Sequence, residues 1–470
     1  MLQRYRWMVV LLLTAVPACV PPEPTAPTNL AADPSLQANT VTLFLTGNTL
    51  STLKPCGCTT GQLGGLDRRG AVLHSAPADR RILVDTGNFL MQDTQQDRIK
   101  LGILLQAMTL LEYDFLHLDQ NDLQVVSEMG LLDSTSCQVL TSIPSDKVPA
   151  KAEKEMSVSG RKLKVTIASI QAADLDAVKL SELFTGKGDI AQANLLIVDS
   201  SQPAVIDAIA KTGLVDVLVV PAAATEPRIV DRSRQRPLVI SVGKFGEYVA
   251  KLTVEVRSDQ STRIGFSDVP VTEQLPMDQS LVDLYKFYQT LVREEQLLDK
   301  VPRIPLEGGL AFVGSKKCQI CHEYAYAMWT EKKHSIAYPT LVKVEHQYDP
   351  ECVKCHVIGL GYETGFQNEA SPVDLREVGC EACHGPGNLH IESVLTQKPY
   401  VSCGHQPRMR CVDCHTPEHS AGFGGHEREY FQKIIHWKEP KAEDAIQYLS
   451  EGAAPKVDSI NTAAESSDKP

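Results

Sequence analysis

The chain has 470 residues, enough for about two to four domains. Hydrophobic residues make up 43% and charged residues 22%, which excludes a fibre or wholesale disorder. The formal net charge of −12 leaves no cationic surplus to replace phosphate counterions, so a nucleic-acid partner is excluded. Nine of the 13 Cys and eleven of the 13 His follow residue 310, so the chemistry is expected there.

Residues 1–18 read as an export signal: Arg4 and Arg6, then an apolar run from Trp7 to Val16, then a small residue. The run is too short for a membrane span. Val16-Pro17-Ala18-Cys19 resembles a bacterial lipoprotein box, from which Pro17 departs. Cys19 is therefore the expected lipid anchor to a membrane; the alternative is an ordinary signal peptide cut nearby. Either places the mature chain outside the cytoplasm, in the periplasm or on the cell surface. Residues 19–40 are Pro-rich and polar, an extended tether.

From 41 to 275 short β-branched runs alternate with helical segments, which predicts an α/β domain. Strands are expected at Val41–Leu45, Ile82–Val84, Lys164–Ile167, Leu195–Val198, Val217–Val220, Leu238–Ser241 and Tyr248–Val256, and a helix over Arg98–Leu111. Residues 276–309 form a helical linker with an apolar stripe (Leu281, Leu284, Tyr285, Tyr288, Val292, Leu298) and Asp278 as its cap. Residues 310–440 are Cys/His-rich with few strand signals, a mostly helical and loop domain. Residues 441–470 are a polar tail.

The second domain repeats one motif four times: Cys318-x-x-Cys321-His322, Cys352-x-x-Cys355-His356, Cys380-x-x-Cys383-His384 and Cys411-x-x-Cys414-His415. C-x-x-C-H is the covalent attachment site of haem c. Two thiols reach two vinyl groups on one porphyrin edge, and the adjacent imidazole meets the iron as proximal ligand. Chance predicts on the order of 0.01 occurrences for this composition. Paired zinc sites or disulfides do not explain a His after the second Cys every time. Four haem c groups are expected, with redox donor and acceptor proteins as partners. Seven further His (His334, His346, His390, His405, His419, His426, His436) could close sixth positions.

Phe312-Val-Gly-Ser, Trp329-x4-His334, Gly379-Cys-Glu-x-Cys-His-Gly-Pro-Gly387-x-x-His390 and Cys414-His-Thr-Pro-Glu418 resemble the tetrahaem cytochrome c family, whose type member carries electrons from hydroxylamine oxidation. The resemblance implies distal ligation by His334 and His390, with Lys433-Ile-Ile-His436 a further candidate and His419 its competitor. The type member keeps one haem five-coordinate.

Residues 41–256 resemble the calcineurin-like metallophosphoesterases of the 5′-nucleotidase type. The resemblance is carried by Thr46-Gly-Asn48, Gly64-Gly-Leu-Asp-Arg-Arg69, Leu83-Val-Asp-Thr-Gly-Asn88 and Pro237-Leu-Val-x-x-Val-Gly-Lys-Phe-Gly246. It implies a four-layer sandwich, here degenerate. Asn48, Leu50 and Asn88 stand where that family has metal-binding Asp, His and Asp. Asp119-Gln-Asn-Asp122, Asp199-Ser-Ser201 and Pro221-Ala-Ala-Ala224 stand where Asn-His and histidines are expected. The expectation is a catalytically inactive domain behind an electron-transfer protein.

Cys56-Gly-Cys58 occupies the start of that lost site, as a reducible pair, a soft-metal site or a structural disulfide. Cys137 and Cys403 have no assignable partner. Two alternatives stand beside electron transfer. One is an oxidoreductase using an open haem or the Cys56/Cys58 pair; the other is residual phosphoesterase activity.

Overall fold

A computed structural model describes residues 38–55, 61–184, 190–403, 410–416, 420 and 422–436. The signal, Cys19, Cys56, Cys58, His405, His419 and the polar tail lie outside the described residues. The chain divides into two compact units: among the described residues the first takes those up to Pro55 and Leu63–Tyr288, and the second takes Gly61, Gln62 and those from Gln289 on.

The first unit contains two six-stranded sheets. One holds β1 (Thr40–Thr46), β2 (Arg81–Asp85), β3 (Phe115–His117), β4 (Gln138–Leu140), β11 (Tyr248–Val256) and β12 (Thr262–Pro270), in the order β12-β11-β1-β2-β3-β4. The other holds β5 (Lys151–Val158), β6 (Arg161–Ile170), β7 (Ala191–Val198), β8 (Val217–Val219), β9 (Arg228–Asp231) and β10 (Leu238–Ser241), in the order β5-β6-β7-β8-β10-β9. β1 through β4 run parallel, as do β6, β7, β8 and β10, with antiparallel strands at the margins. Parallel neighbours require crossovers, and helices supply them: α1 (Leu66–Leu73), α2 (Gln95–Leu110), α3 (Gln120–Met129), α4 (Ala177–Leu183) and α5 (Pro203–Thr212).

Strand alternation assigns the faces. Leu43, Leu45, Ile82, Val84 and Phe115 of the first sheet share one apolar cluster with Leu163, Val165, Ile167, Leu195, Val217 and Ile240 of the second. The opposite face of the second sheet packs Leu196, Leu218 and Val239 on Leu180, Ile206 and Ile209 of α4 and α5. Both faces of β1 are buried, the signature of a covered parallel strand.

The linker helix α6 spans Gln279–Glu294, and Asp278 Oδ1 accepts the N–H of Ser280 (2.8 Å) as its cap. Leu298, read as part of its stripe, lies past the helix end and packs in the second unit's apolar cluster. That unit is built of short helices, with one cluster of eight buried residues, Leu298, Tyr338, Leu341, Val353, Val357, Ile358, Phe366 and Leu375. Among the described residues no helix is long and apolar enough to cross a membrane.

Candidate functional site

Each C-x-x-C-H motif of the second unit is wound on a turn of helix. α7 (Ser315–Gln319) leads into Cys321-His322, and after α8 (Glu323–Thr330) and α9 (Ala337–Lys343), α10 (Pro350–Val353) begins the second motif. α11 (Cys380–His384) spans the third, α12 (Asn388–Leu395) follows it, α13 (Cys411–Cys414) starts the fourth, and α14 (Glu427–Ile434) closes the unit. The turn is hydrogen-bonded: His322 N–H donates to Cys318 O (2.9 Å) and His415 N–H to Cys411 O (2.8 Å). One helical turn places residues three and four apart on one side, so both thiols and the imidazole of a motif face the same way.

Three motif histidines face a non-motif histidine. Ring centroids lie 6.3 Å apart for His322 and His390, 6.1 Å for His384 and His436, and 6.2 Å for His415 and His334. No partner follows its own motif: His390 trails the third motif and faces the first, His436 trails the fourth and faces the third, and His334 trails the first and faces the fourth. Several rings are tied at Nδ1, to Val401 O for His390 (2.9 Å), Ile434 O for His436 (2.9 Å) and Ser420 Oγ for His415 (3.0 Å). A ring donating at Nδ1 leaves Nε2 with its lone pair, the form that ligates iron. Burial pushes His334 and His384 down to about 4, each helped by a facing imidazole, so both stay neutral.

His356 of the second motif differs. Its Nδ1 pairs with Ala337 O (2.6 Å), and among the described residues its ring contacts no other histidine ring. His419 lies outside the described residues, so the structure does not place it.

The motifs are also paired through their thiols. Cys318 lies close to Cys380, and Cys355 to Cys414. Cys383 lies within electrostatic reach of Cys411. The motifs therefore neighbour one another in the order first, third, fourth, second.

The residues fit haem in a further respect. Apolar side chains inside or beside the motifs stand exposed, Ile320 at 78% and Val412 at 46%. A macrocycle on the motif is the kind of apolar surface that would cover them. Cys403 is a free thiol donating to His384 O (3.4 Å), and Cys137 is a buried free thiol in the first unit.

In the first unit, the residues read as replacing metal ligands are tied to each other and to backbone. Asn88 Nδ2 donates to Asn48 Oδ1 (2.9 Å), and Asn48 Nδ2 donates to Gly243 O (2.9 Å). Leu50 holds a left-handed backbone, φ 50°. Asp119 caps α3 through the N–H of Asp122 (2.8 Å), while the Asp122 carboxylate accepts the N–H groups of Asn88 and Phe89. Asp199 accepts the N–H of Ala172 (2.7 Å). Nearby is a polar cluster that sequence reading missed. Thr46 Oγ1 donates to Asp85 Oδ2 (2.6 Å) and shares a hydrogen bond with Tyr113 Oη (2.8 Å). Arg69, 1% exposed, lies within electrostatic reach of Asp85, whose carboxyl burial pushes up, and its Nε and Nη1 have no hydrogen-bond partner among the described residues. Thr46, Asp85 and Arg69 each fall in a stretch that carries the phosphoesterase resemblance, but nothing in those stretches marks them as one buried cluster.

Comparison with known proteins divides the same way. Residues 317–385 match the family described as Cytochrome c554 and c-prime. Cytochrome c-554 of Nitrosomonas europaea is 37% identical over 91 residues, covering 16% of this chain and 39% of that protein. The solved structure of reduced cytochrome c554 from the same organism is 24% identical with a TM-score of 0.23, covering 30% of this chain and 97% of that one. A 5′-nucleotidase precursor from Thermus thermophilus aligns at 18% identity and TM-score 0.44, over 54% of this chain and 59% of that one. The chain thus spans well under two thirds of the curated cytochrome, and somewhat under two thirds of the nucleotidase. Its C-terminal region matches the cytochrome c554 family, and its N-terminal region matches 5′-nucleotidase and calcineurin-like phosphoesterase structures.

Proposed function

We propose that this chain is an extracytoplasmic tetrahaem c-type cytochrome that transfers electrons, joined to a catalytically inactive phosphoesterase-like domain. The observation that carries the reading is the set of three imidazole pairs, each joining a motif histidine to one from elsewhere in the chain. Cys318/Cys321, Cys352/Cys355, Cys380/Cys383 and Cys411/Cys414 would hold the porphyrins as thioethers. His322, His356, His384 and His415 would be proximal ligands, with His390, His436 and His334 distal to the first, third and fourth. Bound haem supplies a one-electron couple; a bis-histidine iron exchanges electrons without binding substrate. The chain's own part is to fix the imidazoles as neutral tautomers and to set the motifs close enough in series for electrons to pass along them.

The inactive reading of the first domain is supported by the Asn48–Asn88 amide pair, since an amide ligates a cation less well than the carboxylate it replaces. Export and a lipid anchor at Cys19 rest on the N-terminal sequence. Purified holoprotein should carry four covalent haems by the pyridine haemochrome assay; none or one defeats the proposal. Added manganese or zinc should produce no nucleotide hydrolysis.

A second reading has its own observation. Among the described residues the ring of His356 meets no other histidine ring; if its iron keeps an open position, the chain is a haem-fed oxidoreductase. One equivalent of carbon monoxide per ferrous chain would support it, and none would remove it. The Cys56/Cys58 pair remains the other redox candidate, tested by thiol titration before and after reduction.

A further inference from the structure

One of the two variable positions in the third motif is Glu381, and it is only 2% exposed. Its carboxylate oxygens accept backbone N–H groups from two directions. Oε1 takes Val313 (3.0 Å) and Gly387 (2.7 Å); Oε2 takes Val313 (3.0 Å) and Gly314 (2.7 Å). Among the described residues both oxygens meet N–H donors, so the donor set suits the ionised form. Burial lifts its pKa and these amides oppose the lift. Among the described residues no Lys or Arg makes an ion pair with it.

The same residues lace the approach to the first motif onto the third. Ser315 Oγ accepts the N–H of Cys380 (3.1 Å). Asn388 accepts from Ala311 N–H (2.8 Å) and donates to Gly309 O (2.8 Å). Gly314 sits at φ +87°, and a Cβ there would run into the Asp374 carboxylate. The outcome is that the helical turn of the first motif packs against that of the third. A fixed negative charge in a low-dielectric interior stabilises a nearby cation more than it would in water. Ferric haem carries one more positive charge than ferrous.

Resting on the tetrahaem reading, we propose that Glu381 is a positioning residue for the first- and third-motif haems: it clamps the two motifs together, and its buried charge favours the ferric form of both. The other two haems, on motifs joined through Cys355 and Cys414, lie outside its clamp.

The test is a potentiometric titration of full-length holoprotein, wild type against Glu381→Gln, with haem content measured in parallel. The expected result is four haems, two couples moved toward the ferrous form by about tenfold in the one-electron equilibrium, or about 59 mV, and two unmoved. Four unmoved couples, or four moving together, overturn the proposal. Glu381→Asp keeps the charge and should load four haems with every couple within about twofold of wild type. Loss of loading in both variants, or displaced couples in Glu381→Asp, likewise overturns it. A wild type carrying fewer than four haems would instead defeat the tetrahaem reading.

Discussion

The imidazole of His334, just past the first motif, faces His415 of the fourth, with ring centroids 6.2 Å apart and an interplanar angle of 48°. His334→Leu should leave haem attachment intact and open the fourth iron alone. The ferric spectrum should gain one high-spin component, and the ferrous chain one equivalent of bound carbon monoxide. An unchanged spectrum and stoichiometry would assign the pairing wrongly.

Glu377 gives a pH dependence. Burial pushes its carboxyl up to about 7, with the Ser315 hydrogen bond opposing. A carboxyl raised on folding binds its proton more tightly in the folded state. Its contribution is full below the ordinary carboxyl range and is lost as pH rises through about 7. Wild type should therefore lose more melting temperature between pH 5 and pH 8 than Glu377→Gln, whose amide does not titrate. Parallel curves would rule the residue out.

Arg69 tests the first unit. Taking away a buried polar partner costs about 1–3 kcal/mol. Arg69→Met should destabilise the unit by roughly that amount in denaturant titration followed by circular dichroism, with haem content unchanged. Adding Asp85→Asn should recover part of the loss, because the charge left without its counterion is then gone too. A double variant as unstable as the sum of the singles would mean the two side chains are not coupled.

Much of this architecture is visible in the residues alone. The β-branched runs at 41–45, 195–198 and 248–256 are strands because they are apolar on both sides or strictly alternating. β12 escapes because Thr262–Pro270 is largely solvent-facing and carries Arg263 and Asp268; β5 because Lys151, Glu153, Lys154 and Glu155 hide its alternation. β3 and β4 are three residues each, too short for a period to register. In the second unit the attachment motifs are fixed by local spacing, which is why they are legible. The choice of facing histidine depends on tertiary packing, which spacing does not encode: candidates were nameable, their partners were not. Glu381 stood in the stretch that carries the cytochrome resemblance, but its burial and its backbone donors were not legible, since a position between two motif cysteines carries no pattern that marks it as buried.

The crossed histidine pairing has a consequence for how the molecule is made. A chain synthesised from its amino terminus presents the first attachment site long before His390 exists, and the third before His436. The first and third macrocycles would spend their early life with one axial side uncovered, until the imidazole that shuts each is made, whereas the fourth would find His334 already in place. A message broken off shortly before codon 436 would thus yield a coloured product with one iron permanently ajar.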